Sequence, residues 1–362
     1  MLKQKYKTTL LLALAIVGLS IQSLAGKIEP VSKTILEKYA VSSDSELRIS
    51  NKFGDIELTT WDKDSIVIAV SISGEAKNNA QESLDEISVK FITRPAENSE
   101  QVSSYVEAIT QMGTRNKNVK INQLQINYTV MLPKTSRLVI RNQFGNVSLN
   151  ESAAAVAVDV RHGNFYAQTL EHPDTRIAVS FGKAEIDLIK RGKVLVSHSN
   201  LVIDEGGEVS VSSDFGGSIR LGNFYDLDLR SRNDKVSIQH VTKLKANCHF
   251  SSLDIAVLIE SLDVDIEHGG LEINSVHKDF KTMNLDARFA DVEARFNKEV
   301  GFKLNADLEF SSLSYPKNSQ VKEEELSFNS SEMNGWVGSA DATAIVNINC
   351  KHGKLKLTND KK

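Results

Sequence analysis

Carboxylates at regular spacing are the residues of this chain that could bind a cation or act as acid and base. Two series of them recur at fixed positions of a repeated phrase. Like charges on neighbouring strands, about 4.8 Å apart, repel one another unless they are countered. We therefore expect an acidic face, either neutralised by residues such as Arg288 and Arg295 or occupied by a cation. The cation candidates are Asp254, Glu272, Asp291 and Glu293, and the second series is Asp265, Asp286 and Asp307, with Glu267 and Glu309 nearby.

Three interpretations of this face remain open. A solvated, solubilising face is favoured. A calcium site is less favoured, because the glycine-aspartate nonapeptide of calcium-binding β-rolls is absent. A catalytic carboxylate pair, as in glycoside hydrolases or polysaccharide lyases, is the third.

Histidines and cysteines offer no clear site. His162 and His198 are expected two coils apart, about 9 to 10 Å, which is too far for two ligands of one zinc ion. His268 and His352 share their position in the repeat, and His249 is expected to point outward without a partner. The sequence has no phosphate-binding glycine loop, nucleophile elbow or metal-ligand motif. It therefore predicts no catalytic residue, no cofactor and no metal ligand beyond the four weak cation candidates.

A repeated phrase must position these side chains. Its clearest copy is NQFGNVSL, Asn142 to Leu149, in which an aromatic ring or histidine precedes a small residue and two alternating apolar positions. Successive rings lie roughly 17 to 21 residues apart between Phe144 and Phe310, a period typical of a solenoid. The ring positions are Phe53, Phe144, His162, Phe181, His198, Phe215, Asn233 (a degenerate copy), Phe250, His268, Phe289, Phe310 and His352.

The alternation around each ring predicts two short strands per coil, joined at a corner. We expect glycines such as Gly145 and Gly163 to adopt positive φ there, and the rings to form one internal stack. The fold class is all-β: a right-handed parallel β-helix with a strand-rich N-terminal cap or insertion. Cys248 and Cys350 would occupy one inward column about five coils apart, over 20 Å, and so could not form a disulfide.

The chain divides into five segments. Three lysines, an apolar run and Ser23-Leu24-Ala25 predict a signal peptide over 1–25. Its removal leaves a net charge of -7 instead of -4, which argues against a nucleic-acid partner. The run is too short for a membrane span, and no later segment suffices. The other segments are an N-terminal coil and strand-rich cap (26–137), the β-helix repeats (138–315), a polar loop or degenerate coil (316–338) and a last coil with a tail (339–362).

The phrases NKFGDIEL, followed by Trp61, and NQFGNVSL, after a strand ending at Pro133, resemble the bacterial β-strand-repeat family called "putative adhesin", common in Bacteroidota. The resemblance covers nearly all of the chain after the signal peptide, and it implies an exported right-handed parallel β-helix without catalytic residues. We expect a non-enzymatic cell-envelope module, periplasmic, on the cell surface or secreted, whose partner is an envelope glycan or protein. The alternative is a carbohydrate-active β-helix enzyme, for which acidic residues and exposed aromatics should share one groove.

Overall fold

The computed structural model describes residues 28–77, 80–96, 99–112 and 121–360. The predicted signal peptide lies outside these residues. The described chain is all-β, as predicted, and it contains one short helix. No helix within the described ranges is long and apolar enough to cross a membrane.

Six strands and the helix form the N-terminal part. The first half of the first strand pairs antiparallel with the third strand, and its second half joins the repeats, since Leu47 lies beside Leu138 in a parallel pair. This N-terminal part is therefore rich in strands and continuous with the repeats. Its elements are β1 (Ile28–Asn51), β2 (Ile56–Trp61), β3 (Ser65–Lys77), α1 (Ala80–Asp85), β4 (Ile87–Ala96), β5 (Ser99–Met112) and β6 (Ile121–Pro133).

The central strands stack in parallel, one repeat upon the next. Leu138 lies beside Val156, and Val158 lies beside Ile177, so equivalent positions of successive copies are neighbours. In most copies a strand precedes the ring and a strand follows it, although the strand Asn200–His249 continues through the corners at Phe215 and Asn233. These strands are β7 (Arg137–Gln143), β8 (Val147–Ser152), β9 (Val156–Arg161), β10 (Phe165–Leu170), β11 (Arg176–Ser180), β12 (Lys183–Ser197), β13 (Asn200–His249), β14 (Ser252–Glu267), β15 (Gly270–Val276), β16 (Thr282–Arg288) and β17 (Asp291–Phe296).

Alternation of side chains explains the core. In β9 the residues Val156, Val158 and Val160 are buried and those between them are partly exposed. The same pattern repeats on neighbouring strands, so the inward residues meet in one apolar cluster that runs from the N-terminal strands to the last ones. Strict period-two alternation thus fixes which residues line the core.

The C-terminal strands do not follow the chain order. β22 lies between β16 and β18, parallel to both, and β23 likewise lies between β17 and β19. The predicted last coil therefore lies between the coil of β16 and β17 and the coil of β18 and β19. The segment 316–338, predicted as a polar loop or degenerate coil, instead contains an antiparallel hairpin packed along β18. The strands are β18 (Phe302–Glu309), β19 (Ser312–Ser314), β20 (Ser319–Ser327), β21 (Ser330–Val337), β22 (Ala344–Lys351) and β23 (Lys354–Asn359).

This insertion corrects the predicted separation of the cysteines. Cys248 lies beside Ile266, and Ile266 lies beside Ala287. Ala287 lies beside Cys350, so the two thiols are three strands apart, about 14 Å, and not five coils apart. Both thiols are buried and free. Burial raises the pKa of Cys248 to about 12.

Candidate functional site

The rings of the repeat form a column on the outside of the corner, and the predicted internal stack is wrong. Phe144, Phe181, Phe215 and Phe250 are 48%, 52%, 52% and 60% exposed. Each ring position from Phe144 to His352 has φ between 49° and 59°, so the extra residue at the corner is the ring residue itself. A residue in this left-handed conformation interrupts the alternation, and its side chain leaves the core.

The predicted positive φ at the following glycines is also wrong for the repeats. Gly145 is absent from the residues with positive φ, whereas Phe144 before it has φ 54°. Glycine is needed for a different reason: a Cβ on Gly145 would lie 2.0 Å from the carbonyl oxygen of Gly54 in the preceding copy. At this corner the two copies stack so closely that no side chain fits between them.

Ring stacking offsets the unfavourable backbone. A left-handed conformation costs a non-glycine residue about 1–2 kcal/mol. Each ring compensates by stacking on its neighbours: His162 is 4.9 Å from both Phe144 and Phe181, measured between ring centroids. Such contacts contribute about 0.5–1.5 kcal/mol each. His198, His268 and His352 are stacked in the same way.

The four cation candidates line one open depression of about 540 Å³, together with two lysines of the inserted β23. Lys356 Nζ lies 3.0 Å from Glu293 Oε1. Arg295 lies 3.4 Å from both Glu272 and Glu293. The inserted β23 therefore places lysines beside the acidic residues. The order of the copies in the sequence did not predict this contact.

Hydrogen bonds occupy the other two candidates. Asp291 accepts a bond from the backbone N–H of Lys354 at 2.9 Å, and Asp254 accepts one from Asn274 at 2.9 Å. The hydrogen bond from Lys356 is the main cause of a lowered pKa at Glu293. No group of three or more histidine, cysteine or acidic residues that could hold a metal ion occurs in the described part of the chain. All four carboxylates of the depression therefore have a cation or a hydrogen-bond donor beside them.

The second acidic series is interrupted by the same insertion. Asn349 of β22 lies between Asp286 and Asp307, and its amide donates to Asp286 at 3.2 Å. Beside it, Asn347 donates to Asn284 at 2.9 Å and accepts from Asn305 at 2.8 Å. Asparagine amides therefore separate Asp286 from Asp307 and reduce the expected repulsion between their charges.

His249 has a partner, contrary to the prediction. Its Nδ1 lies 3.2 Å from Glu267 Oε2 on the neighbouring strand. The pair joins two outward residues of adjacent copies, because His249 lies beside Glu267 in the parallel register.

A second groove combines an aromatic ring with carboxylates and amides. It is an open depression of about 620 Å³ on the strands that follow the rings. Tyr166 lies in its lining between Ser148 and Glu185, and its side chain is 38% exposed. We call it the Tyr166 groove. Its polar lining residues are Glu57, Thr59, Ser148, Asn150, Gln168, Glu185 and Asp187.

Two carboxyl groups of the Tyr166 groove, those of Glu185 and Asp187, differ in their surroundings. Glu185 is paired with Lys183, whose Nζ lies 2.6 Å away. Asp187 has a raised pKa, caused first by desolvation and then by the charges of Asp204 and Glu185. Asp187 therefore favours its protonated form more than an isolated aspartate does, while Glu185 beside it forms an ion pair with a lysine.

Sequence reasoning did not bring Tyr166 and Glu185 together with Asp187 and Glu57. The available signal was their shared position in successive copies, Glu57, Ser148, Tyr166 and Glu185, which the parallel register makes one column. Another exposed aromatic, Tyr225, contacts a cation: Lys243 Nζ lies 5.4 Å from its ring centroid.

No protein-family model matches the chain, and no curated protein matches it. Similar solved structures include a "putative cell adhesion protein" from Clostridium sporogenes, with 12% identity over 92% of this chain and 100% of that one and a TM-score of 0.21. A "putative adhesin" from Parabacteroides distasonis has 9% identity over 92% and 98%, with a TM-score of 0.32. A "putative lipid binding protein" from the same organism has 9% identity over 90% and 96%, with a TM-score of 0.27. At these values no family membership follows.

Proposed function

We propose that this protein is an exported, non-enzymatic right-handed parallel β-helix that acts as an adhesin-like binding module of the cell envelope. The parallel register of successive copies supports the β-helix, and the apolar N-terminal run after three lysines supports export. The segment 26–137 caps the repeats of 138–315. The resemblance of NKFGDIEL and NQFGNVSL to the β-strand-repeat "putative adhesin" family agrees with this role.

The observation that carries the function is the composition of the Tyr166 groove. An exposed aromatic ring can pack on the apolar face of a sugar, while amides and carboxylates accept and donate hydrogen bonds to its hydroxyls. Asn150 Oδ1 already accepts from the Thr60 backbone at 2.9 Å, which orients the amide. Gln168 is exposed beside it. The ligand we propose is a neutral or amino-bearing envelope glycan, because acidic residues outnumber cations in this lining.

A carbohydrate-active enzyme is the second candidate, and one observation favours it. Acidic residues and an exposed aromatic do share one groove. Asp187, with its raised pKa, has the property of a general acid, and a second carboxyl, Glu185, lies beside it in an ion pair with Lys183. We propose the binding role because the four carboxylates of the other acidic depression are paired with cations or hydrogen-bonded.

A glycan array and a binding screen on envelope fractions test the proposal, each run with and without calcium. Wild type should retain defined glycans, and Tyr166→Ala should lose them. Tyr225→Ala is the matched control, since it removes another exposed tyrosine outside the groove. If both variants retained the glycans, or if neither the variants nor wild type retained any, the Tyr166 groove would be rejected as the binding site.

A further inference from the structure

The external ring column has one gap. Phe215 stacks on His198 at 5.4 Å, and Phe250 stacks on His268 at 4.8 Å, but the position between them is Asn233. Asn233 has φ 58°, as the ring residues do, so it occupies the same corner. Asparagine tolerates this conformation without a stacking partner. The column is thus divided into two stacks separated by one ring position.

The gap has the thickness of one ring. Neighbouring rings in the column lie 4.8 to 5.6 Å apart between centroids. Phe215 and Phe250 are two strand spacings apart, about 9.6 Å. A single ring placed midway would therefore have the spacing that His162 has between its two phenylalanines.

The faces that border the gap are accessible. Phe215 is 52% exposed, and Phe250, at 60%, is the most exposed phenylalanine of the column. Both rings that border the gap are therefore accessible to an entering molecule.

The exposed charges nearest to Asn233 in its copy are positive, and one carboxylate, Asp214, stands directly before Phe215 in the neighbouring copy. Arg230, Arg232 and Lys235 are exposed on the copy that contains Asn233, and no ion pair is formed by them within the described residues. Asp234 is buried and engaged, since its carboxylate accepts from the Gly216 N–H and from Ser231. An anionic group at the rim would meet unpaired cations.

We propose that the gap between Phe215 and Phe250, over Asn233, is a binding subsite for one planar aromatic ring that carries a carboxylate. The ring completes the column by stacking on both phenylalanines, and the carboxylate lies beside Arg232. The ligand class is a small aromatic acid. The subsite is separate from the Tyr166 groove, so either can fail without the other.

Saturation-transfer NMR and calorimetry with indole-3-acetate test this subsite, with cyclohexylacetate as the non-planar probe. Wild type should bind indole-3-acetate at least tenfold more tightly than cyclohexylacetate. Asn233→Phe should fill the gap and weaken indole-3-acetate binding at least tenfold, whereas Asn233→Ala should retain it. Arg232→Gln should weaken indole-3-acetate binding and leave the binding of neutral indole unchanged.

Thermal unfolding separates occupation of the gap from damage to the fold. Asn233→Phe should unfold at or above the wild-type temperature, because it adds two ring contacts. If that variant is unstable, Asn233→Ala and Arg232→Gln still decide the question through their effects on the probe. Equal binding of both probes, undiminished binding to folded Asn233→Phe, or no binding to wild type would overturn the proposal.

Discussion

Replacing Phe181 by alanine removes two ring contacts from the middle of the external column. Phe181 lies 4.9 Å from His162 and 4.9 Å from His198. Two such contacts contribute about 1–3 kcal/mol beyond burial. The ring is 52% exposed, so burial of its other half, about 100 Å², adds up to about 2.5 kcal/mol. The backbone cost stays, because alanine is as unsuited to positive φ as phenylalanine.

We therefore expect Phe181→Ala to lower the free energy of unfolding by about 3–5 kcal/mol, measured by urea unfolding followed by circular dichroism. Tyr225→Ala is the matched control: Tyr225 is 53% exposed but contacts Lys243 instead of another ring. Its loss should be smaller by about 1–3 kcal/mol. Phe181→Asn should recover about 1 kcal/mol relative to alanine, since asparagine tolerates the conformation. Equal losses in Phe181→Ala and Tyr225→Ala would refute a stabilising role for the stack.

Three further outcomes follow from the acidic depression and the thiols. Calcium and sodium chloride at equal ionic strength should shift the melting temperature of wild type and of Glu272→Gln alike, and a calcium-specific shift lost in the variant would identify a cation site. The lowered pKa of Glu293 means that its pairing with Lys356 stabilises the fold above about pH 4.5 and is lost as pH falls through the folded pKa. The stability difference between wild type and Lys356→Met should therefore vanish at low pH in a pH series of unfolding curves, and persistence there would contradict the pairing. Alkylation should label Cys248 and Cys350 only after denaturation, and mass spectrometry that finds either thiol modified in the native protein would contradict their burial.

The repeat period and the inward residues could be predicted from sequence, because alternation is local. Val156, Val158 and Val160 follow period two, and the structure buries each of them. The ring positions were correctly identified as one column. They were predicted to lie inside the core, whereas they lie on its outside. Continuing the alternation through Phe144 puts its ring inside, and only a backbone angle, φ 54°, turns it outward. Residue type gives little warning of this, since phenylalanine rarely adopts that conformation.

The order of the C-terminal strands in the sheet was the second feature that could not be predicted from sequence. The insertion of β22 between β16 and β18 joins segments far apart in the chain, such as Asn284 and Asn347. No local pattern distinguishes an inserted strand from a terminal one, because both have the same alternation. The placement of Lys356 beside Glu293 and the distance between the two cysteines both depend on this insertion.

The Tyr166 groove was missed for a related reason. Its residues are unremarkable within any one copy, and Asp187 acquires its raised pKa only when folding desolvates it and places it near Asp204 and Glu185. Reading the column across copies would have found Glu57, Tyr166 and Glu185 together. The depth of the depression and the desolvation of Asp187 depend on three-dimensional packing.

The most direct test of the proposed role is the fate of a bound glycan. A glycan that the protein retains on the array is incubated with the protein and observed by saturation-transfer NMR. The glycan is then recovered for mass spectrometry. The binding role predicts saturation transfer that Tyr166→Ala abolishes and Asp187→Asn largely preserves, with the glycan recovered intact. Cleaved glycan whose formation requires Asp187 would contradict a non-enzymatic module and favour the hydrolase or lyase.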